Sequence, residues 1–176
     1  NSQNRNKMIY RLRVILDNDT DDDIFRDIEI NKSDNLEDFH NSITQSFGFE
    51  GNEMASFYTT NDAWEQGEEM PLESMDIAQP NYGETVLNTI FSAEVHKLLY
   101  IYDFLNLWTF FIELMEVGEL IVGTNYPNLI HAEGEVPEEA PDKSFESDTP
   151  FKEDGFEDDL DDNDSDQQDY DDSDFY

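Results

Sequence analysis

The chain has 176 residues, in which 44 acidic side chains outnumber 9 lysines and arginines, giving a formal net charge of −35, and it contains no cysteine. The lack of cysteine excludes disulfide frameworks, thiol nucleophiles and cysteine-ligated metal sites. Proteins that bind nucleic acid or an anionic membrane directly need clustered basic side chains, so this charge balance argues against both partners.

Alternating apolar residues near the amino end predict a β-hairpin. Its strands cover residues 8–16 and 24–30, and an aspartate-rich turn separates them. Antiparallel pairing brings two arginines of the first strand opposite two acids of the second, for about 0.2–1 kcal/mol per pair. The arginines are Arg11 and Arg13, and the acids are Asp27 and Glu29.

The next segment predicts a helix, because apolar side chains recur at helical spacing. Asp34 or Asn35 is placed to cap its start, and Gly48 is placed to end it. One stripe of this helix carries Leu36, Phe39, His40, Ile43 and Phe47. A third strand is expected at residues 54–59.

The second half of the sequence is harder to interpret. Residues 60–82 are polar and rich in turn formers, which predicts mostly loop. Apolar spacing predicts a short second helix at 85–93, and aromatic and β-branched residues predict strands at 97–104 and 108–117. A last short strand is expected at 128–132.

These elements predict three parts: a loose extension at 1–7, a single domain at 8–143 and a disordered tail at 144–176. The domain is expected to be α+β, with the order β-β-α-β-α-β-β. Its sheet is predicted to be mixed but mainly antiparallel, with two or three helices on one face.

The tail is expected to be disordered because it carries fifteen acidic residues and one lysine, with too few apolar residues to form a core. Its isolated aromatic side chains are candidate short anchors, while its charge would steer a basic partner toward the protein. These aromatics are Phe145, Phe151, Phe156, Tyr170, Phe175 and Tyr176.

The aspartates of the hairpin turn suggest a cation site, because Asp17, Asp19 and Asp21 resemble the start of an EF-hand loop. The match ends there: Asp22 occupies the position that requires glycine, and Ile28 the position of the bidentate glutamate. Either the turn binds a divalent cation weakly or it is simply solvated. No other cofactor is predicted.

A candidate cleft combines His40 with Tyr102, Asp103 and Trp108. Asp103 ends a buried strand just before a turn, so it either caps that turn through backbone N–H groups or forms the floor of a pocket. No nucleophile elbow, glycine-rich phosphate loop or dinucleotide fingerprint is present, so no catalytic residue is predicted.

The most apolar window, residues 98–122, has the length of a membrane span but contains four acids. A carboxylate near a bilayer centre costs about 3 kcal/mol on insertion scales, so a transmembrane helix is not expected. No signal-peptide pattern precedes this window, and we expect a cytoplasmic protein.

The run Tyr102, Asp103, Phe104 and Trp108 resembles the plasmid pRiA4b ORF-3-like family, also known as insertion-element passenger TnpR-like proteins. Other matching segments follow the same order along the chain, which extends the resemblance over residues 8–142. They are Tyr10 to Leu16, the helix residues Leu36, Phe39, His40 and Ile43, and the closing Tyr126, Pro127, Gly134 and Pro137. The resemblance implies a compact α+β domain with no established activity.

This sequence departs from the family pattern Tyr-Asp-Phe-Gly-Asp-x-Trp-x-His at three positions. Leu105 replaces the glycine, Asn106 the second aspartate and Phe110 the histidine, and a family histidine is also absent around residues 53–57. If relatives use that Asp–His pair for metal or acid–base chemistry, this protein lacks it. The TnpR label implies resolution of mobile DNA, which the acidic charge argues against.

The leading functional hypothesis is a non-catalytic protein-interaction module whose acidic, aromatic-dotted tail engages a basic protein. One alternative is a nucleic-acid mimic that inhibits a DNA-binding protein, which requires carboxylates spaced like phosphates on a rigid surface. Another is a small metal-dependent enzyme with its cleft near Asp103.

Overall fold

The computed structural model describes residues 7–141, which form a seven-stranded sheet and one α-helix. In chain order the elements are β1 (Met8–Leu16), β2 (Phe25–Asn31), α1 (Leu36–Phe47), β3 (Ala55–Thr60), β4 (Gln66–Pro71), β5 (Lys97–Tyr102), β6 (Trp108–Glu119) and β7 (Asn128–Glu133). A single 3-10 turn, Leu87–Thr89, lies between β4 and β5.

All neighbouring strands are antiparallel, in the order β4-β3-β5-β6-β1-β2-β7. The β1–β2 register places Arg11 opposite Glu29 and Arg13 opposite Asp27, and both pairs are hydrogen-bonded. The predicted hairpin and its ion pairs are therefore confirmed.

Helix α1 has the predicted start and end. The Asn35 side chain accepts a hydrogen bond from the Asp38 amide at 2.8 Å, and the Asp38 carboxylate accepts one from the Asn35 amide at 3.1 Å. This reciprocal pair satisfies two amides that the first helical turn leaves without intrahelical acceptors. Gly48 ends the helix with φ 81°, a left-handed conformation that favours glycine.

The main core lies between α1 and one face of the sheet. The helix contributes its predicted stripe, and each buried apolar side chain stabilises the fold by about 1.5–3 kcal/mol. The largest fully buried strand residues here include Leu12, Phe57, Tyr100 and Phe110. The opposite face carries a smaller cluster of Tyr58, Leu99 and Ile101, packed against partly buried Trp64, Leu107 and Phe111.

The prediction of a mixed sheet with two or three helices is wrong, because residues 7–141 contain one α-helix and a fully antiparallel sheet. The expected second helix is only the 3-10 turn. The Thr89 and Ile90 amides bond three residues back, to the Val86 and Leu87 carbonyls, and the Ser92 amide bonds forward to the Val95 carbonyl, so no continuous helix forms.

Strand β4 occupies part of the expected loop. It pairs only with β3 and lies at the sheet edge, and its Gln66 to Glu69 stretch is solvent-exposed. An edge strand needs no alternation of apolar and polar residues where both of its faces are exposed to solvent. The polar sequence of β4 was therefore not distinguishable from that of a loop. Among the described residues, no helix is long and apolar enough to cross a membrane.

Candidate functional site

The β5–β6 turn is built around Asp103. Its Oδ1 accepts hydrogen bonds from the Leu105 amide at 3.1 Å and the Asn106 amide at 3.3 Å, and its Oδ2 accepts one from the Asn106 side chain at 2.7 Å. Asp103 and Leu107 both have positive φ, 69° and 60°, a backbone conformation that is unfavourable for residues other than glycine. The hydrogen bonds of Asp103 stabilise the turn in this conformation. Asp103 therefore caps the turn, the first of its two expected roles.

The same bonds keep Asp103 ionised. Burial raises the pKa of the Asp103 carboxyl, but the hydrogen bonds from the Asn106 side chain and the Leu105 and Asn106 amides outweigh it and hold the pKa below its usual range. A carboxylate in this state is a poor proton donor near neutral pH.

Asp103 also lines a depression together with Tyr102 and Trp108. Its volume is about 530 Å³, and its remaining walls come from the loop after α1 and from residues 136–138. The wall residues are Phe47, Gly48, Phe49, Glu50, Asn52, Glu53, Val136, Pro137 and Glu138. Three of the four predicted cleft residues thus lie together.

Tyr102 holds in place the loop between α1 and β3, which separates this depression from the one that contains His40. Its hydroxyl accepts a hydrogen bond from the Gly51 amide at 3.0 Å, and the Asp103 amide donates to the Met54 carbonyl at 2.8 Å. The Phe49 ring stacks on Tyr102, with centroids 4.9 Å apart, and lies 4.9 Å from Trp108.

The fourth predicted residue, His40, lines an adjoining depression of about 280 Å³. Its ring lies 6.3 Å from that of Tyr102, and its Nδ1 is 2.6 Å from the Tyr100 hydroxyl. The two depressions share Asn52 and Glu53. His40 therefore borders the predicted cleft from the far side of this loop.

A third depression, of about 520 Å³, shares Val136 and Pro137 with the first. Acids of the β1–β2 turn form one wall, and Glu133 and Glu135 form the other. Sequence reasoning did not find it, because these walls are more than 100 residues apart in the chain. The only signal was the large excess of acids over bases.

We call this row of three depressions the acidic groove. Eleven carboxylates line it, and no lysine or arginine is among its lining residues. They are Glu37, Glu53, Glu73, Glu50, Asp103, Glu138, Glu133, Glu135, Asp21, Asp22 and Asp23.

Arg26 holds in place the groove wall that contains Glu133, Gly134 and Glu135. Its guanidinium donates to the carbonyls of Glu133 at 2.8 Å and Gly134 at 3.2 Å, and its Nε donates to the Ser46 carbonyl at the end of α1 at 3.0 Å. Gly134 approaches the two residues before β2 so closely that a Cβ there would lie 2.4 Å from the Asp23 carbonyl oxygen. The wall is thus held by backbone contacts on both sides.

One comparison with known proteins identifies the family. The family model described as plasmid pRiA4b ORF-3-like protein matches residues 8–148. The chain belongs to this family. A crystal structure of a protein of unknown function from Methanosarcina mazei Go1 is similar at 21% identity and TM-score 0.62, covering 72% of this chain and 69% of that one. That similarity shows a shared fold, and no curated protein matches the sequence.

Of the three residues that depart from the expected family pattern, Asn106 and Phe110 have clear structural roles in this member of the ORF-3-like family. Leu105 lies at the turn tip and is 89% exposed, whereas Phe110 is fully buried in the core. Phe110 packs 4.8 Å from the Phe47 ring, and Asn106 donates to Asp103 where a second aspartate would bring a repelling carboxylate. Asn106 thus stabilises the turn through a donor that an ionised aspartate lacks.

The predicted cation residues are not assembled into a site. Asp17 is buried at the end of β1, while Asp19 and Asp21 are exposed in the turn. The turn is organised by Asn18, whose side chain donates to the carbonyls of Leu16 and Asp22 at 3.2 Å. Within residues 7–141, no three histidine, aspartate or glutamate side chains are grouped closely enough to hold a metal ion. Weak cation binding remains a prediction.

The six predicted tail anchors lie outside the described residues. They are Phe145, Phe151, Phe156, Tyr170, Phe175 and Tyr176.

Proposed function

We propose that the protein is a cytoplasmic, non-catalytic interaction module that binds a lysine- and arginine-rich segment of a partner protein in the acidic groove. The observation that carries the proposal is the concentration of eleven carboxylates, without any lysine or arginine, along three adjoining depressions. A concave surface with one sign of charge raises the local concentration of oppositely charged ligands and speeds their association.

The groove offers more than charge. Phe49, Tyr102 and Trp108 lie at its centre, and Val136 and Pro137 join two of its depressions. Lysine and arginine have long apolar stems below their charged heads, so a basic segment can bury those stems on the accessible surface of Phe49, Val136 and Pro137 while its charges reach the carboxylates.

The other two hypotheses have less support. A nucleic-acid mimic must project its carboxylates into the basic site of another protein, whereas those of the groove line depressions. A catalytic cleft at Asp103 would need a free carboxylate, but both oxygens of Asp103 are engaged by the turn.

The test measures binding of a fluorescent ten-residue peptide of lysine, arginine and alanine to the full chain by anisotropy. We expect micromolar affinity that falls about tenfold or more between 50 and 200 mM salt, because several ion pairs form in partly screened water. A peptide of the same length with glutamate in place of the basic residues should not bind.

Two charge-matched triple variants separate the groove from the general acidity. Glu50→Gln/Glu53→Gln/Glu138→Gln neutralises the centre of the groove, and Asp62→Asn/Glu68→Gln/Glu84→Gln removes the same charge from exposed positions that do not line it. The first should weaken binding about tenfold or more, and the second less than about threefold. Equal losses in both variants would contradict a groove-based function.

The tail, residues 144–176, is proposed to contribute to binding of the basic partner as well, because its sequence is acidic and contains isolated aromatic residues. A full-length variant in which its six aromatics are changed to serine keeps the charge and removes the anchors. We expect a few-fold loss of affinity for the basic peptide, seen mainly as faster dissociation. Unchanged dissociation would leave the groove as the site and remove the anchor role of the tail.

A further inference from the structure

The depression that contains His40 differs from the other two. It is the smallest, it forms one end of the acidic groove, and it lies between the first turn of α1 and the loop before β3. The acids around it, Glu37, Glu53 and Glu73, are exposed, whereas His40 is 8% exposed and lies deeper.

The proton on His40 can be assigned from its partner. Tyr100 is fully buried, and among the described residues its hydroxyl has one hydrogen-bond partner, His40 Nδ1 at 2.6 Å. A buried hydroxyl that donates to nothing loses a hydrogen bond, so Tyr100 donates and Nδ1 accepts. In a neutral imidazole the remaining proton is then on Nε2. Burial lowers the pKa of His40 to about 4, which keeps the ring neutral at pH 7.

The Nε2–H group is an unused donor. Within residues 7–141, the one hydrogen bond of the His40 side chain is that of Nδ1, and His40 lines the depression although it is only 8% exposed. A ligand that fills this depression must therefore offer a hydrogen-bond acceptor near His40 and carry positive charge near the surrounding acids.

The start of α1 does not provide a binding site for an anionic ligand. Its first amides are already engaged: those of Leu36 and Glu37 donate to the carbonyls of Thr85 and Gly83, and that of Asp38 donates to the Asn35 side chain. The helix end therefore offers no free amide for an anionic ligand, and Glu37 and Asp38 further counter its positive dipole.

We propose that this depression binds the amino-terminal residue of the partner's basic segment. The α-ammonium group lies among Glu37, Glu53 and Glu73, and the carbonyl oxygen of the same residue accepts the hydrogen bond from His40 Nε2. The inference rests on the proposed function, since the following residues are those that lie along the rest of the groove.

The chemistry distinguishes this ligand from the alternatives. A lysine or arginine side chain carries only donors, so it cannot accept from Nε2–H. A carboxylate or phosphate can accept but is repelled by the surrounding acids. The first residue of a polypeptide carries a cation and an acceptor three bonds apart, and a position at the end of the groove suits the end of a chain.

The test compares two peptides of equal net charge with the full chain. One has a free amino terminus, and the other is acetylated and carries one additional lysine at its carboxyl end; both have the label near the carboxyl end. We expect the free peptide to bind about tenfold more tightly, the equivalent of about 1.4 kcal/mol. The preference should disappear in Glu37→Gln/Glu73→Gln, whose exposed side chains leave the core unchanged, and in His40→Phe.

The outcomes separate this inference from the proposed function. Equal binding of both peptides would overturn the amino-terminal site and leave the groove intact, and failure of both to bind would overturn both proposals. The ¹⁵N shifts of His40 add a second readout: we expect the Nε2–H form in the free protein and a shift of Nε2 on adding the free peptide alone. An Nδ1–H form would overturn the assigned hydrogen bond.

Discussion

Acidic side chains serve two different purposes in two regions of this molecule. On the sheet face of β1, β2 and β6, arginines hold them: Arg13 donates to both oxygens of Asp27 at 2.9 and 3.0 Å, and Arg11 bridges Glu29 at 3.0 Å and Glu116 at 2.8 Å. In the acidic groove, no lysine or arginine is among the lining residues. The acids of this sheet face therefore have a cation beside them. The groove acids other than Asp103, which caps the β5–β6 turn, are exposed and line a surface without lysine or arginine.

The largest expected effect comes from Arg26, which supports the groove wall through carbonyl groups rather than through an acid. Arg26→Met should lower the free energy of unfolding by about 4 kcal/mol, because several carbonyls lose a charged donor at once. Urea denaturation measures the change. Arg11→Met is the control: its side chain is 40% exposed, and its loss should cost about 1 kcal/mol or less. Equal costs would mean that Arg26 does not anchor the wall.

The next effect is a pH dependence centred on His40. Burial lowers the pKa of His40 from 6.5 to about 4, so its contribution to stability is fully present above pH 6.5 and is lost as the pH falls toward 4. The loss amounts to about 3 kcal/mol, because the unfolded chain takes up the proton before the folded one. Free energies of unfolding measured from pH 7 to pH 4 should show it.

A His40→Gln variant provides the control, since its amide oxygen can still accept from Tyr100. The surrounding acids Glu37, Glu53 and Glu73 are present in both proteins, so the difference between the two curves isolates the effect of His40. If the curves stay parallel over this pH range, His40 is not held neutral by burial.

Much of the fold followed from local patterns in the sequence. The β1–β2 hairpin, the capped helix and strands β5 and β6 were predictable because each alternation or stripe corresponds to one buried face. Strand β4 and the 3-10 turn were not, because long-range pairing decides them: β4 is polar at an exposed edge, and Leu87 donates to a carbonyl more than 50 residues away.

The candidate site was only partly predictable. Tyr102, Asp103 and Trp108 lie close together in the sequence and flank one tight turn, so their meeting could be expected. The groove joins the hairpin turn, the loop after α1 and the segment after β7. No local pattern relates these segments, and only the antiparallel sheet order brings them together.

A direct test of the two purposes compares one acid from each region. Asp27→Asn removes the partner of Arg13 at a position where Asp27 is 7% exposed, and should cost about 2 kcal/mol. Glu53→Gln removes a groove carboxylate and should leave the free energy of unfolding unchanged or raise it by about 0.3 kcal/mol. Thermal and urea unfolding of both variants measure the contrast, and a comparable loss in both would remove the distinction.

The smallest effect is the response of stability to salt, and its sign depends on which region dominates. Salt screens the attraction in the Arg11 and Arg13 pairs, which lowers stability, and screens the repulsion among groove acids, which raises it. Bases are few and the net charge is −35, so we expect 0.5 M KCl to raise the free energy of unfolding by about 0.5 kcal/mol. The gain should shrink in Glu50→Gln/Glu53→Gln/Glu138→Gln and persist in Asp27→Asn. A loss of stability in salt would mean that the arginine pairs outweigh the groove.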